Sequence, residues 1–154
     1  MMEKFEVGRF EVFTLALSEI MSNWNKIATE ELRPYGLKGG YVVYLIALFK
    51  APNGLTATNL SQMCNRDKAE VSRAIKALLE KEFVSRTNTT STGYRASIAL
   101  TKKGREVTHA LRERVKLVVE KGGEGLSDDE REIFYNALEI ISGNLKAISK
   151  DGLK

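Results

Sequence analysis

Cysteine and histidine each occur once in this chain, at Cys64 and His109, and proline only twice. One cysteine excludes an intrachain disulfide, and one cysteine with one histidine cannot assemble the Cys/His cluster of a structural zinc site. Such sparing use of cysteine points to a reducing environment. Long apolar runs are lacking too. The N-terminal stretch MMEKFEVGRFEVFTLALSEI carries Glu3, Glu6, Glu11 and Glu19 through its apolar positions. It is not expected to be a signal peptide or a membrane span, and the chain reads as cytoplasmic. The motifs of common enzymes are also missing. Gly36, Gly39 and Gly40 are too closely spaced for a phosphate loop and follow no strand. There is no nucleophile elbow, paired-carboxylate site or metal cluster, so an enzyme is the weaker class and no cofactor is expected.

What is present is an ordinary globular composition. The chain has 154 residues, 43% hydrophobic and 29% charged. That suits one domain with its own core and argues against disorder. The formal net charge of +4 decides little by itself. Its distribution is more informative, since residues 1–55 carry six bases and six acids, residues 56–105 ten and four, and residues 106–154 eight and ten. A centre of +6 between a neutral start and an end of −2 suits a surface for a polyanion, though a solvated charged face has the same composition.

Hydrophobic periodicity predicts helices over most of the chain. From about Val7 to Leu32, residues Phe10, Phe13, Leu17, Ile20, Met21, Trp24 and Ala28 recur at helical steps, and Pro34 with Gly36 ends the run. A second helix from about Gly39 to Phe49 is apolar nearly all round, which marks it as buried. Ala51-Pro52-Asn53-Gly54 is a turn. A short helix from Thr58 to about Cys64 is broken by Asn65-Arg66-Asp67. Asp67 and Glu70 then open a helix from Lys68 to about Lys81 in the manner of a capping box. Two helices joined by so short a turn make a helix-turn-helix. In the second of them Val71, Ala74, Ile75, Leu78 and Leu79 share one side, while Arg66, Ala69, Ser72, Arg73, Lys76 and Glu80 share the other.

After Phe83-Val84 the period changes. A polar run from Thr87 to Gly93 separates two extended segments, so a β-hairpin is expected. Its returning strand, Tyr94 to Leu100, alternates Tyr94, Ala96, Ile98 and Leu100 with Arg95, Ser97 and Ala99. Thr101 is placed to cap a helix from Lys102 to about Lys121, with Val107, Ala110, Leu111, Val115 and Val118 as its apolar stripe. Gly122-Gly123-Glu124-Gly125 stops that helix. Ser127 with Glu130 forms a second capping box, opening a last helix striped by Ile133, Phe134, Ala137, Leu138, Ile141, Leu145 and Ile148.

Several segments together resemble the MarR family of winged-helix regulators. They are Gly36-Leu37, Leu55-Thr56 with Leu60-Ser61, the run Asp67-Lys68-Ala69-Glu70-Val71-Ser72-Arg73, and Leu100-Thr101 with Gly104. The resemblance covers nearly the whole chain. It implies a mainly α fold with a small β-hairpin wing, a winged helix-turn-helix with N- and C-terminal dimerisation helices in one domain, 1–154. The dimerisation region is expected at about 1–35 and 105–154, and the DNA-binding region at about 37–104. It implies a homodimer on double-stranded DNA with a two-fold-symmetric site, acting as a repressor relieved by a small aromatic or phenolic effector. The wing departs from the family pattern. Many members carry Asp-x-Arg there, whereas Thr92, Gly93 and Tyr94 fall on those positions and Arg95 lies one residue out of register. Either the hairpin differs by one residue and Arg95 enters the groove, or the wing contacts are weaker and more polar.

A helix fits the major groove of B-DNA, where arginine pairs with guanine and lysine reaches base or phosphate. Arg73 is the first candidate, with Lys68, Ser72 and Lys76 beside it and Ala69 placed to meet a thymine methyl. Glu70 accepts from cytosine or serves only the cap. Arg86 and Arg95 are the hairpin candidates. Trp24, Tyr35, Tyr41 and Tyr44 are candidate walls of an effector pocket, although core packing accounts for each of them as well. Cys64 reads as an inert packing residue rather than a sensor, and His109 as a polar residue off the apolar stripe. A helical protein-interaction module without operator binding is the alternative to a DNA-binding regulator.

Overall fold

The computed structural model describes residues 2–87 and 96–153, with side chains described from Gly8 onward except residue 10. Its contacts divide the chain into two units, Met1–Arg114 and Val115–Lys154.

The first unit opens with α1 (Met2–Leu32). This helix starts before the expected Val7, because residues 2–6 include no glycine, proline or β-branched residue to interrupt it. It ends as expected. Arg33–Tyr35 tightens into a 3-10 turn and Gly36 adopts a left-handed φ of 65°. The helix expected from Gly39 divides into a 3-10 turn, Gly39–Tyr41, and α2 (Val42–Phe49). Two consecutive glycines are poor helix formers, which explains the tighter start. Val42, Tyr44, Leu45, Ala47 and Leu48 of α2 are buried.

Thr56 accepts a hydrogen bond from the Asn59 amide and opens α3 (Ala57–Cys64), which closes on Asn65 at φ 50°. Asp67 then accepts from the Glu70 amide at 2.8 Å and opens α4 (Lys68–Glu80). Only half of the expected capping box forms here. Among the described residues the Asp67 amide donates no hydrogen bond to the Glu70 carboxylate, and Glu70 instead walls a cavity described below. Beyond α4, the Glu82 amide donates to the Leu79 carbonyl and the Phe83 amide to that of Leu78, both at 3.0 Å, with Glu82 at φ 60°. This is a left-handed helix stop carried by a glutamate.

The hairpin strands are β1 (Val84–Thr87) and β2 (Ser97–Leu100), antiparallel with Val84 opposite Leu100 and Arg86 opposite Ile98. The expected alternation along β2 does not hold, since Ile98, Ala99 and Leu100 are all buried. Leu55 bridges Ile98 on the edge away from β1, through hydrogen bonds of 2.8 and 2.9 Å. β2 is therefore paired on both edges at Ile98. Tyr94, Arg95 and the other residues between 87 and 96 lie outside the described residues.

Thr101 accepts from the Gly104 amide at 3.0 Å and opens α5 (Lys102–Gly122). Its buried residues are Gly104, Thr108 and Leu111, whereas Ala110, expected on the apolar stripe, is exposed. The rotation has a steric cause. A Cβ at Gly104 would overlap the Phe83 carbonyl oxygen, so α5 approaches the end of α4 on that face and carries Thr108 inward. The Thr108 hydroxyl donates to the Gly104 carbonyl at 2.7 Å, which satisfies its polar atom. Leu32, Leu45, Leu48, Leu60, Val71, Leu78 and Ile98 are the largest fully buried apolar side chains of the core, each contributing about 1.5–3 kcal/mol by leaving water.

The second unit holds the end of α5 and α6 (Asp128–Asp151). Both halves of the Ser127–Glu130 capping box are present, at 3.2 and 2.7 Å. Arg131 ties the turn by donating to the Gly123 carbonyl at 2.9 Å. The expected stripe of α6 does not enter a core. Ile133, Phe134, Ile141, Leu145 and Ile148 are all exposed, and no residue of α6 is buried.

Candidate nucleic-acid interface

The amphipathic pattern of α4 decides which residues are presented. Val71, Ala74, Ile75 and Leu78 are buried, so their opposite numbers Lys68, Ala69, Ser72, Arg73 and Lys76 face solvent, together with Arg66 just before the helix. Glu70 is exposed on the same side. The far end of α4 is held by α5. The Lys103 ammonium donates to the Lys81 carbonyl at 3.0 Å and lies 4.7 Å from the centre of the Phe83 ring, and the Thr101 hydroxyl donates to the Glu82 carbonyl at 2.7 Å. A cation at the carbonyl end of a helix is favourably placed against its dipole. On the hairpin, Arg86 is exposed on β1, while Arg95 lies outside the described residues.

A cavity of about 370 Å³ adjoins α4, walled by Asn25, Lys38, Gly40, Tyr41, Tyr44, Arg66, Glu70 and Arg73. Of the four aromatic residues considered for an effector pocket, Tyr41 and Tyr44 line it, their ring centres 6.0 Å apart. Trp24 and Tyr35 do not. Tyr35 packs edge-on against Phe83 at 6.3 Å, and Trp24 is half-buried on α1. The sequence therefore overstated the aromatic share of this wall and missed Asn25, Lys38 and Gly40. Their convergence is tertiary. Arg66 and Arg73 were legible as members of one helical face, but what that face meets was not.

Burial pushes the Tyr44 hydroxyl pKa up, with Arg66 pulling it down and Glu70 adding to the rise. Burial likewise raises the Cys64 thiol, against Arg66. Cys64 is half-buried, its sulfur 3.7 Å from the Val43 carbonyl oxygen, which suits packing better than reactivity. His109 is exposed and stacks on Phe49 at 6.5 Å, with the Arg112 guanidinium 4.5 Å from the same ring centre. Among the described residues no group of three or more His, Cys, Asp or Glu side chains is arranged to hold a metal ion, and no helix is long and apolar enough to cross a membrane.

No protein-family model matches the sequence, and no curated protein matches it. Solved structures do. A MarR transcriptional regulator from Methanosarcina mazei Go1 superposes with a TM-score of 0.80 at 24% identity, covering 90% of this chain and 92% of that one. A MarR-family regulator from Listeria monocytogenes, solved in complex with a 26mer DNA, gives 0.81 at 17% identity over 92% and 96%. The DNA complex of MepR from S. aureus gives 0.72 at 20% identity over 86% and 96%. The helix-turn-helix, the antiparallel hairpin and the flanking long helices of this chain thus make up the winged-helix fold of the MarR-family transcriptional regulators.

Proposed function

We propose that this chain is a MarR-family regulator that binds double-stranded DNA in the cytoplasm. The observation that carries the reading is the exposed face of α4, where Lys68, Ser72, Arg73 and Lys76 stand clear of the core on the second helix of a helix-turn-helix, with Arg66 exposed in the turn before it. Two proteins of the same fold were solved with DNA. Arg73 is assigned to base or phosphate contact, Lys68, Ser72 and Lys76 to positioning, Ala69 to close approach, and Arg86 and Arg95 to DNA beside the major groove. Glu70 stands at the edge of this face.

The protein is further proposed to act as a homodimer through about 1–35 and 105–154, with about 37–104 binding DNA. Val12, Phe13, Leu15, Ile20 and Met21 of α1 and the apolar stripe of α6 are exposed, and such faces suit burial against a second copy. Two recognition helices would then enter successive major grooves roughly 34 Å apart on a site of two-fold symmetry. Repression relieved by a small aromatic or phenolic effector completes the reading, with Tyr41 and Tyr44 in the effector's wall. Relief requires that the effector prefer the state that does not bind DNA.

Selection of bound fragments from genomic DNA tests the proposal. Recovery of symmetric sites, with affinity falling steeply as salt rises through counterion release, is the expected result. No enriched fragment, or salt-insensitive binding, favours a protein-interaction module instead.

A further inference from the structure

One side chain closes the turn between α3 and α4. Asn65 takes the left-handed conformation at φ 50°, its amide donates to the Gln62 carbonyl at 3.4 Å, and the Arg66 amide donates to the Ser61 carbonyl at 3.1 Å. That pair of bonds is the ordinary left-handed helix stop, and it leaves the carbonyl of the second residue past the helix without a partner. Here the Ser61 hydroxyl donates to the Arg66 carbonyl at 2.6 Å. A serine within a helix commonly donates back to the carbonyl four residues earlier, whereas this bond runs forward across the helix end. Both backbone polar groups of Arg66 are thus held by Ser61.

The next residue is Asp67, the cap of α4, so the peptide group that Ser61 holds is the one through which the chain enters that helix. Arg66 itself is exposed and, among the described residues, takes part in no salt bridge. Its guanidinium ends a long side chain, so a small rotation of the backbone at Arg66 moves the charge much further. In a helix-turn-helix on DNA, the start of the second helix reaches base edges while the first helix crosses the backbone. A cation in the turn between them stands beside the phosphates. We propose that Arg66 contacts a DNA phosphate and that Ser61 is its positioning residue, fixing the backbone from which the guanidinium reaches. The proposal rests on the DNA-binding reading above and adds a residue of the turn to the contacts assigned to α4 and the hairpin.

The experiment combines DNA titrations of the full chain, at several salt concentrations on a fragment recovered by genomic selection, with amide hydrogen exchange followed by NMR. Arg66→Ala should weaken binding about fivefold and make the salt dependence shallower by about one charge. Ser61→Ala, which favours helix α3 while removing the hydroxyl, should weaken binding about threefold or more and flatten the salt dependence in the same sense. Ser61→Thr keeps the hydroxyl and should restore most of the affinity. In a protein that already carries Arg66→Ala, Ser61→Ala should add less than about twofold, since residues that act through one contact are not additive. Without DNA, the Arg66 amide should exchange faster in Ser61→Ala while the Leu78 amide of the core is unchanged. Affinity and salt dependence unaltered in Arg66→Ala overturn the phosphate contact. Equal losses from Ser61→Ala with and without Arg66, or equal losses in the alanine and threonine variants, overturn positioning by the hydroxyl. Unchanged exchange at Arg66 overturns the brace, whether or not DNA is bound. If no fragment is bound by the unaltered protein, the regulator reading fails and takes the phosphate contact with it, and the exchange measurement still judges the brace.

Discussion

The Thr101 hydroxyl donates a 2.7 Å hydrogen bond to the carbonyl of Glu82, joining the first residue before α5 to the residue that turns the chain out of α4. The same oxygen accepts from the Gly104 amide, so one side chain caps one helix and braces the end of another. Thr101→Val keeps the shape and removes both bonds. It is expected to lower stability by about 1–3 kcal/mol, a lost cap plus an unmet carbonyl, as read by urea unfolding. An unchanged midpoint would show that water replaces both partners.

Gly104→Ala tests the close approach of α5 to Phe83. In an open helix this change is favourable by about 1 kcal/mol. Here the added methyl overlaps the Phe83 carbonyl oxygen and comes within 3.2 Å of a Leu100 methyl, so a net loss of about 1–3 kcal/mol is expected. A rise in Tm for the variant contradicts the packing described.

Cys64 should react slowly. Because burial raises its thiol pKa, little thiolate is present near neutral pH. Alkylation by iodoacetamide at neutral pH, followed by mass spectrometry, is expected to be slower in the native protein than in the urea-unfolded chain. Equal rates would refute the packing role. The raised pKa also carries a stability dependence. The folded state holds this proton more tightly than the unfolded state, so the stabilisation is complete below the ordinary thiol range and is lost as pH rises through the raised folded value. Tyr44, raised by burial, acts in the same sense at higher pH.

Arg73→Ala should weaken binding to a selected DNA fragment by about 1–3 kcal/mol and relax preference at one base pair, if the guanidinium pairs with a guanine. Lys76→Ala should weaken all fragments alike and make the salt dependence shallower by about one charge. Fluorescence anisotropy at several salt concentrations separates the two. Unchanged affinity in a folded Arg73→Ala protein removes that residue from the interface.

Phe134→Glu addresses the exposed stripe of α6. Phe134 is 45% exposed and stands with Ile133, Ile141 and Leu145 on a helix that contributes nothing to a core. Sedimentation equilibrium should find the unaltered protein dimeric and the variant shifted toward monomer, since a buried unpaired carboxylate is costly at an interface. A monomer in both cases refutes the assignment of this face.

The order of the helices, their caps and the hairpin were legible locally. Pro34 and Gly36 ended α1, Asp67 and Ser127 opened α4 and α6, and Thr101 opened α5, because caps and breakers act through hydrogen bonds and backbone sterics within a few residues. Misreadings arose where a distant neighbour intervened. Ala110 was assigned to a buried stripe that Gly104 and Thr108 occupy, since contact with Phe83 sets the rotation of α5. Ala99 was placed with the polar side of an alternating strand, whereas it is buried like its neighbours Ile98 and Leu100.

The basic face of α4 followed from the sequence alone, because helical periodicity assigns Arg66, Arg73 and Lys76 to the side opposite Val71 and Leu78. That Asn25 and Lys38 meet those arginines around a cavity, and that Trp24 and Tyr35 do not, was decided only by tertiary packing. Periodicity specifies which way a side chain points from its own helix. What it meets depends on how α1 and the Gly39–Tyr41 turn lie against α4, and that is set by contacts between residues far apart in the chain.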